Sequence, residues 1–268
     1  MVFFRSGGLG DFILTLPLLK CAYYHKHQVI LYARSYLLNL VSEGWDWLET
    51  KDLDQLVGKP PPCTNSSVMV SFWKDPNWPK EMKAAGAVSA FSLDPRPARG
   101  KHFVIQALEK LNFEMPEDLL SKALLGDRWS RQKNNLWVHP GSGGQKKNLP
   151  IEYFVLKSKE WLDLNSSHQV IVSFGNADAE VFLKFKQFPI AQDRRVKIIQ
   201  PETIKELVTQ LTKQAGKFIG NDSGPSHLAA NLGIPVEVNY RCTEAEVWRP
   251  TGPRVKTYLW DSDSSKIL

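Results

Sequence analysis

With 268 residues, 43% of them hydrophobic and 23% charged, the chain has the makings of a soluble globular protein of one large domain or two small ones. Its formal net charge of +6 points to an acidic partner, and no Lys/Arg block is dense enough to single out nucleic acid; a phosphorylated substrate or an anionic membrane surface fits better. Cys21, Cys63 and Cys242 lie far apart with no CxxC or zinc spacing, which argues against a disulfide framework and a structural metal and fits a reducing compartment.

Val2-Phe3-Phe4 reads as a strand rather than the start of a leader peptide, and the longest apolar run falls well short of the roughly 20 residues that span a bilayer. A cytoplasmic location is expected. The first strand is followed by a glycine-rich turn, Ser6-Gly7-Gly8-Leu9-Gly10-Asp11, and then by helical spacing at Phe12, Ile13, Leu16, Leu19 and Tyr23. Pro17 falls inside this helix and is expected to kink it. A strand at 29–32 and a helix over 36–41 complete a βαβ opening and hence a parallel sheet. After the turn-rich Lys59-Pro60-Pro61-Pro62 come strands at 68–72 and 88–91 and a helix over 102–111. The polar segment Gly126 to Lys133 marks a domain boundary, dividing the chain into 1–130 and 131–268.

A second βαβ series follows, with strands at 136–138, 170–174, 196–199, 217–219 and 236–238 and helices over 150–164, 177–185, 204–214 and 225–232. The expected fold is α/β: two Rossmann-like units, each opening with a glycine-rich turn after its first strand and facing the other across a cleft. Ligands bind such sheets at the carboxyl ends of the strands. Most of the nine Trp residues are expected in the core.

Three stretches carry candidate chemistry. Gly7-Gly8-Leu9-Gly10-Asp11 begins like a dinucleotide fingerprint, but Ile13 occupies the third glycine position and Ala33-Arg34 the place of the ribose-binding acid, so a dehydrogenase is disfavoured. Asp11 is either an N-cap or a general base. His139-Pro140-Gly141-Ser142-Gly143-Gly144-Gln145-Lys146-Lys147-Asn148-Leu149-Pro150 offers backbone N–H groups and two lysines to a phosphate, or is simply a solvated loop. Gly220-Asn221-Asp222-Ser223-Gly224-Pro225-Ser226-His227 joins a buried strand to a helix with Pro225 in its first turn and Gly233 past its end. That helix start favours an anion, phosphate above all, unless Asp222 or Ser223 merely caps it. His227 either reaches a phosphate or sugar hydroxyl or is satisfied within the domain.

Together with Leu16-Pro17 and the tail Trp248-Arg249-Pro250-Thr251-Gly252-Pro253, these stretches resemble the lipopolysaccharide heptosyltransferases of glycosyltransferase family 9. The resemblance implies a GT-B fold, an acceptor-side first domain and a nucleotide-sugar-binding second domain. It also implies inverting, metal-independent transfer from a nucleotide sugar, typically ADP-heptose, without a cofactor, to an anionic glycolipid or glycan acceptor at the cytoplasmic face of the inner membrane. By the same resemblance Asp11 is the base, Gly8 and Gly10 form the acceptor-side turn, and Ser142, Gly143, Lys147, Asp222, Ser223, Gly224 and His227 hold the donor. Asn148-Leu149 stand where an Arg-Trp pair is common in the family. Asp261-Ser262-Asp263 looks like the metal-binding Asp-x-Asp of the other glycosyltransferase fold, but it lies near the C-terminus and the lysines already supply cationic phosphate contacts.

Overall fold

The computed structural model describes residues 1–57, 64–130 and 133–260, which form two compact units, 1–119 and 120–268. The first contains β1 (Val2–Arg5), α1 (Leu9–Tyr24), β2 (Val29–Ala33), α2 (Ser35–Leu38), β3 (Leu48–Asp52), β4 (Val68–Ser71), α3 (Trp78–Ala84), β5 (Ser89–Ser92) and α4 (Phe103–Lys110). The second contains β6 (Asn135–His139), α5 (Ile151–Leu164), β7 (Gln169–Ser173), α6 (Ala179–Phe185), β8 (Val196–Ile199), α7 (Ile204–Gln214), β9 (Ala215–Asn221), α8 (Gly224–Asn231), β10 (Val236–Tyr240), α9 (Ala245–Trp248) and β11 (Val255–Leu259).

Among the described residues every strand pairing is parallel. The first sheet has the order β3-β2-β1-β4-β5 and the second β11-β10-β9-β6-β7-β8. Numbered from its own first strand, each sheet follows the doubly wound Rossmann order, with one switch point where the strand order reverses. These lie between β1 and β4 in the first unit and between β6 and β9 in the second. The glycine-rich turn leaves β1, the His139–Pro150 loop leaves β6 and the Asp222 turn leaves β9, so all three candidate stretches arise at a switch point.

Central strands form because their apolar runs are covered on both faces; β1 is buried at every position. In α5 the buried residues Ile151, Phe154, Val155, Ser158 and Leu162 make one stripe, which packs with Leu136, Val138, Val170 and Val172 of the sheet. The helix α1 is enclosed on most sides and runs through Pro17 as one element, beginning at Leu9 rather than at Phe12. The strand β3 and the helix α3 have no counterpart in the sequence reading. The segment Leu48-Glu49-Thr50-Lys51-Asp52 is an edge strand with a single fully buried side chain, so it carries charges where a central strand carries apolar residues.

The division between units falls at Leu119/Leu120, ahead of the polar segment at which a boundary was expected. The segment belongs to the second unit because it is anchored there: Leu125 and Arg128 donate backbone hydrogen bonds to Asn231 and Leu232, and the Trp129 indole donates to Gly216 O at 2.8 Å. Arg254 pairs with Asp127 at 3.0 Å. Among the described residues no helix is long and apolar enough to cross a membrane. The prolines at 60–62, Cys63 and Asp261-Ser262-Asp263 lie outside the described residues.

Candidate functional site

In the first unit the chain leaves β1 at Arg5 and turns through glycines into α1. Gly7 is the position where only glycine fits, since a Cβ there would overlap the Asp11 side chain; a Cβ on Gly8 would meet nothing. Gly8 precedes the helix in extended conformation, and Asp11, three residues on, folds back to accept its N–H at Oδ2 (3.0 Å). Asp11 therefore satisfies a helix-start donor from inside the first turn, not from the cap position itself. Gly10 lies within that turn of α1.

Two guanidinium groups converge on the Asp11 carboxylate. Arg5 Nη2 reaches Oδ1 at 3.0 Å, while Arg96 places Nη1 2.5 Å from Oδ1 and Nη2 3.3 Å from Oδ2. Arg5 is almost wholly buried and lies over the rings of Phe72 (4.3 Å) and Phe103 (5.4 Å), whereas the Arg96 side chain is 64% exposed. Burial pulls the Arg5 guanidinium down to about 10 despite the neighbouring carboxylate. Burial also pushes the Asp11 carboxyl upward, but the hydrogen bonds from Arg96 and the charges of both arginines outweigh it and hold Asp11 below its ordinary value.

In the second unit Asp222 follows β9, and Ser223 is the N-cap of α8, with Pro225 in the first turn. Asp222 Oδ2 accepts from Lys147 Nζ at 2.7 Å and from the Thr243 hydroxyl at 2.8 Å; His227 Nε2 stands 3.7 Å from Oδ1. Burial works against ionisation here too, but His227 and Lys147 hold Asp222 far below the usual carboxylate range. His227 is buried with its Nε2 toward Asp222, and its Nδ1 is buried with no hydrogen-bond partner among the described residues. The Ser223 hydroxyl lies 3.1 Å from Ser226 Oγ, which donates to Asn221 O.

The two loops of this unit are tied together by Asn221, whose side chain donates to Pro140 O (2.7 Å) and accepts from Leu149 N (3.1 Å). Inside the loop after β6, the Ser142 hydroxyl contacts Asn148 Oδ1 (2.6 Å) and Gly144 O (2.8 Å), so its polar atom shapes the loop rather than facing outward. A Cβ on Gly143 would meet nothing, which leaves this backbone open to approach. Beneath the loop, His139 contacts Ser173 Oγ at 3.0 Å and Asp178 at 3.6 Å, and a Cβ on Gly141 would overlap the Asp178 carboxylate. Burial pushes the His139 imidazole below its ordinary value against the pull of Asp178.

A cavity of about 130 Å³ opens beside His139 and Pro225, lined also by Pro201, Thr203 and Ile204. A larger one, about 650 Å³, lies between α5 and the β10–β11 edge and contains none of the motif residues. The tail motif is structural: Asn231 of α8 donates to Thr251 O (2.9 Å), and a Cβ on Gly252 would sit 2.5 Å from Ala230 O.

Four residues at these sites lay outside the sequence reading. Arg5 ends an apolar strand with a charge, a signal that could have been weighed. Arg96, Thr243 and Arg241, whose guanidinium donates to Asn148 O at 2.9 Å, sit in loops where spacing carries no information. Among the described residues no group of three His, Cys, Asp or Glu side chains is arranged to hold a metal ion.

A model of glycosyltransferase family 9 (heptosyltransferase) matches residues 106–266. Lipopolysaccharide heptosyltransferase 1 of Campylobacter coli is 29% identical over 145 residues, covering 53% of this chain and 40% of that protein. Lipooligosaccharide heptosyltransferase 2 of Campylobacter jejuni is 28% identical over 140 residues, 51% of this chain and 40% of its own length. The matched part thus spans about two-fifths of each curated relative. Among solved structures, a family 9 glycosyl transferase from Veillonella parvula superposes with a TM-score of 0.72 at 15% identity, covering 99% of this chain and 87% of that one. The E. coli heptosyltransferase WaaC with ADP gives 0.69 at 12% identity, covering 98% and 93%. These structural likenesses bear on the fold, an arrangement of two Rossmann-like domains of the GT-B type, and the matched family model covers more than half of the sequence: the chain belongs to glycosyltransferase family 9, the heptosyltransferase family.

Proposed function

We propose that this protein is an inverting, metal-independent glycosyltransferase that moves heptose from ADP-heptose to a lipopolysaccharide-core or related glycan acceptor. The observation that carries the reading is the Lys147–Asp222–Thr243 cluster at the switch point of the second sheet, beside the start of α8. A lysine held by a neighbouring carboxylate, open backbone at Gly143 and a helix N-terminus together suit a diphosphate. Pro225, in the first turn of α8, also lines the small cavity with His139 and Pro201, which offers an apolar wall to part of a bound nucleoside. Family membership supports a heptosyl donor, and a heptosyltransferase of the same fold was solved with ADP.

In the proposed reaction the acceptor hydroxyl gives its proton to Asp11 as its oxygen bonds to the anomeric carbon. The bond from that carbon to the diphosphate breaks on the opposite face, and the nucleoside diphosphate leaves with the electron pair. A single displacement inverts the anomeric centre. Charge developing on the leaving group is met by Lys147, by the N–H groups of Ser223 and Gly224 and by the dipole of α8. Asp222 fixes the lysine ammonium where that charge appears. No step in this scheme requires a cofactor. The acceptor is an anionic glycolipid or glycan, encountered at the cytoplasmic face of the inner membrane.

Calorimetric titration with ADP, ADP-heptose, UDP and UDP-glucose, without metal, tests the donor. Preference for the adenine series is expected. Preference for UDP would keep the fold and move the donor to another nucleotide sugar. No binding of any of them would replace the enzyme with a glycan-binding protein of reduced activity.

A further inference from the structure

A carboxylate offers about four lone-pair positions, two on each oxygen. On Asp11 four N–H donors take them: Arg5 and Arg96 at Oδ1, Gly8 N and Arg96 again at Oδ2. A base must present a lone pair to the acceptor hydroxyl, so in this arrangement Asp11 has none to offer. One of the donors has to leave before proton transfer. Gly8 N is backbone at the start of α1. Arg5 is sealed between β1, Phe72 and Phe103, and its Nε also donates to Asp11 O. Arg96 alone among the side-chain partners is largely exposed, and it sits in the loop between β5 and α4, away from any sheet hydrogen bonding. Its departure would free one position on each oxygen.

A neutral hydroxyl is a poor competitor for a guanidinium already held by a carboxylate, because charge-assisted bonds are roughly twice as strong as neutral ones. A second anion is an even match. We infer that Arg96 masks Asp11 in the resting protein and is drawn off by an anionic group, a phosphate or a carboxylate, carried by the acceptor near its attacking hydroxyl. Arg96 is thus the residue that selects an anionic acceptor and couples its arrival to exposure of the base. Arg5 stays behind to keep Asp11 in place. The inference rests on Asp11 being the base of the proposed transfer. Water, being neutral, does not unmask the base, which would also protect the bound donor from hydrolysis.

The test follows the side-chain carboxyl resonance of Asp11 by carbon NMR in protein labelled at aspartate, assigned by its loss in Asp11→Asn. Wild type, Arg96→Ala and Arg96→Lys are titrated with inorganic phosphate, glucuronate and glucose at low salt. In wild type, phosphate or glucuronate shifts the Asp11 resonance and glucose does not. In Arg96→Ala, Asp11 titrates at higher pH from the outset, and the anion response weakens about tenfold or more. Arg96→Lys retains anion binding but cannot bridge both oxygens, so its Asp11 titrates between the other two. Response to phosphate alone assigns a phosphorylated acceptor and response to glucuronate alone a sugar acid; both uphold the inference. An unmoved resonance in wild type, or an equal response in Arg96→Ala, overturns it. These readings involve no nucleotide, so failure of the donor assignment, seen as absent ADP binding, is recognised separately.

Discussion

The two units each place an aspartate at the start of a helix beside a switch point, Asp222 buried and Asp11 half-buried, and the two carboxylates are held in different ways. Asp222 is held by Lys147 and by the Thr243 hydroxyl at Oδ2, with His227 facing Oδ1. Asp11 has one immovable partner, Arg5, and one that stands mostly in solvent, Arg96. A carboxylate whose task is to hold a cation in position gains from permanent partners and a strongly depressed proton affinity. One that must accept a proton needs a partner that can leave. The most exposed partner is Arg96 at Asp11, 64% exposed, against 35% for Lys147 at Asp222.

Asp11→Asn should lower transfer by about 10²–10⁴ while leaving ADP affinity within about twofold of wild type, since the change touches only the proton acceptor. Single-turnover rates and calorimetry on the same preparation check both halves. Lys147→Ala should do the reverse in kind, weakening ADP about tenfold or more through loss of a charge-assisted contact. Asp222→Asn should cost about 1–3 kcal/mol of stability at neutral pH, the charge contacts being partly exposed at Lys147. Its sign with pH is fixed by the direction of the shift. The folded state binds the proton less readily than the unfolded chain, so the stabilisation is fully present above the unfolded value near pH 4 and is lost as pH falls below it. Denaturation curves of wild type and variant should therefore approach one another in acid. The smallest effect is expected at Arg241, exposed and anchored on Asn148 O: Arg241→Ala should weaken ADP by no more than about fivefold. A loss as large as that of Lys147→Ala would make Arg241 a principal phosphate ligand.

Much of the fold was legible because parallel sheets advertise themselves as short apolar runs followed by glycine turns and helical spacing. The edge strand β3 was not, since Glu49, Lys51 and Asp52 leave no apolar run to read. The start of α1 was read late because Gly8-Leu9-Gly10 looks like a turn even though Leu9 and Gly10 already lie in the helix. Within the sites, Asp11, Lys147 and Asp222 stand out in the sequence because each lies in or just after a turn or loop that follows a strand. The partners that decide what each carboxylate can do come from far away: Arg96 is in the loop after β5 and Thr243 in the loop after β10. No local pattern links Asp94-Pro95-Arg96-Pro97 to a glycine turn at the N-terminus. Ser142 was expected at the donor from the resemblance, and its hydroxyl is bonded within its own loop, to Asn148 and Gly144.

We propose a division of labour, with proton transfer at Asp11 and donor binding at the Lys147–Asp222 cluster. Parallel calorimetric titration of wild type, Asp11→Asn and Lys147→Ala with ADP tests it most directly. The account predicts unchanged affinity in Asp11→Asn and a loss of about tenfold or more in Lys147→Ala. Equal losses in both variants, or undiminished binding in Lys147→Ala, would contradict it.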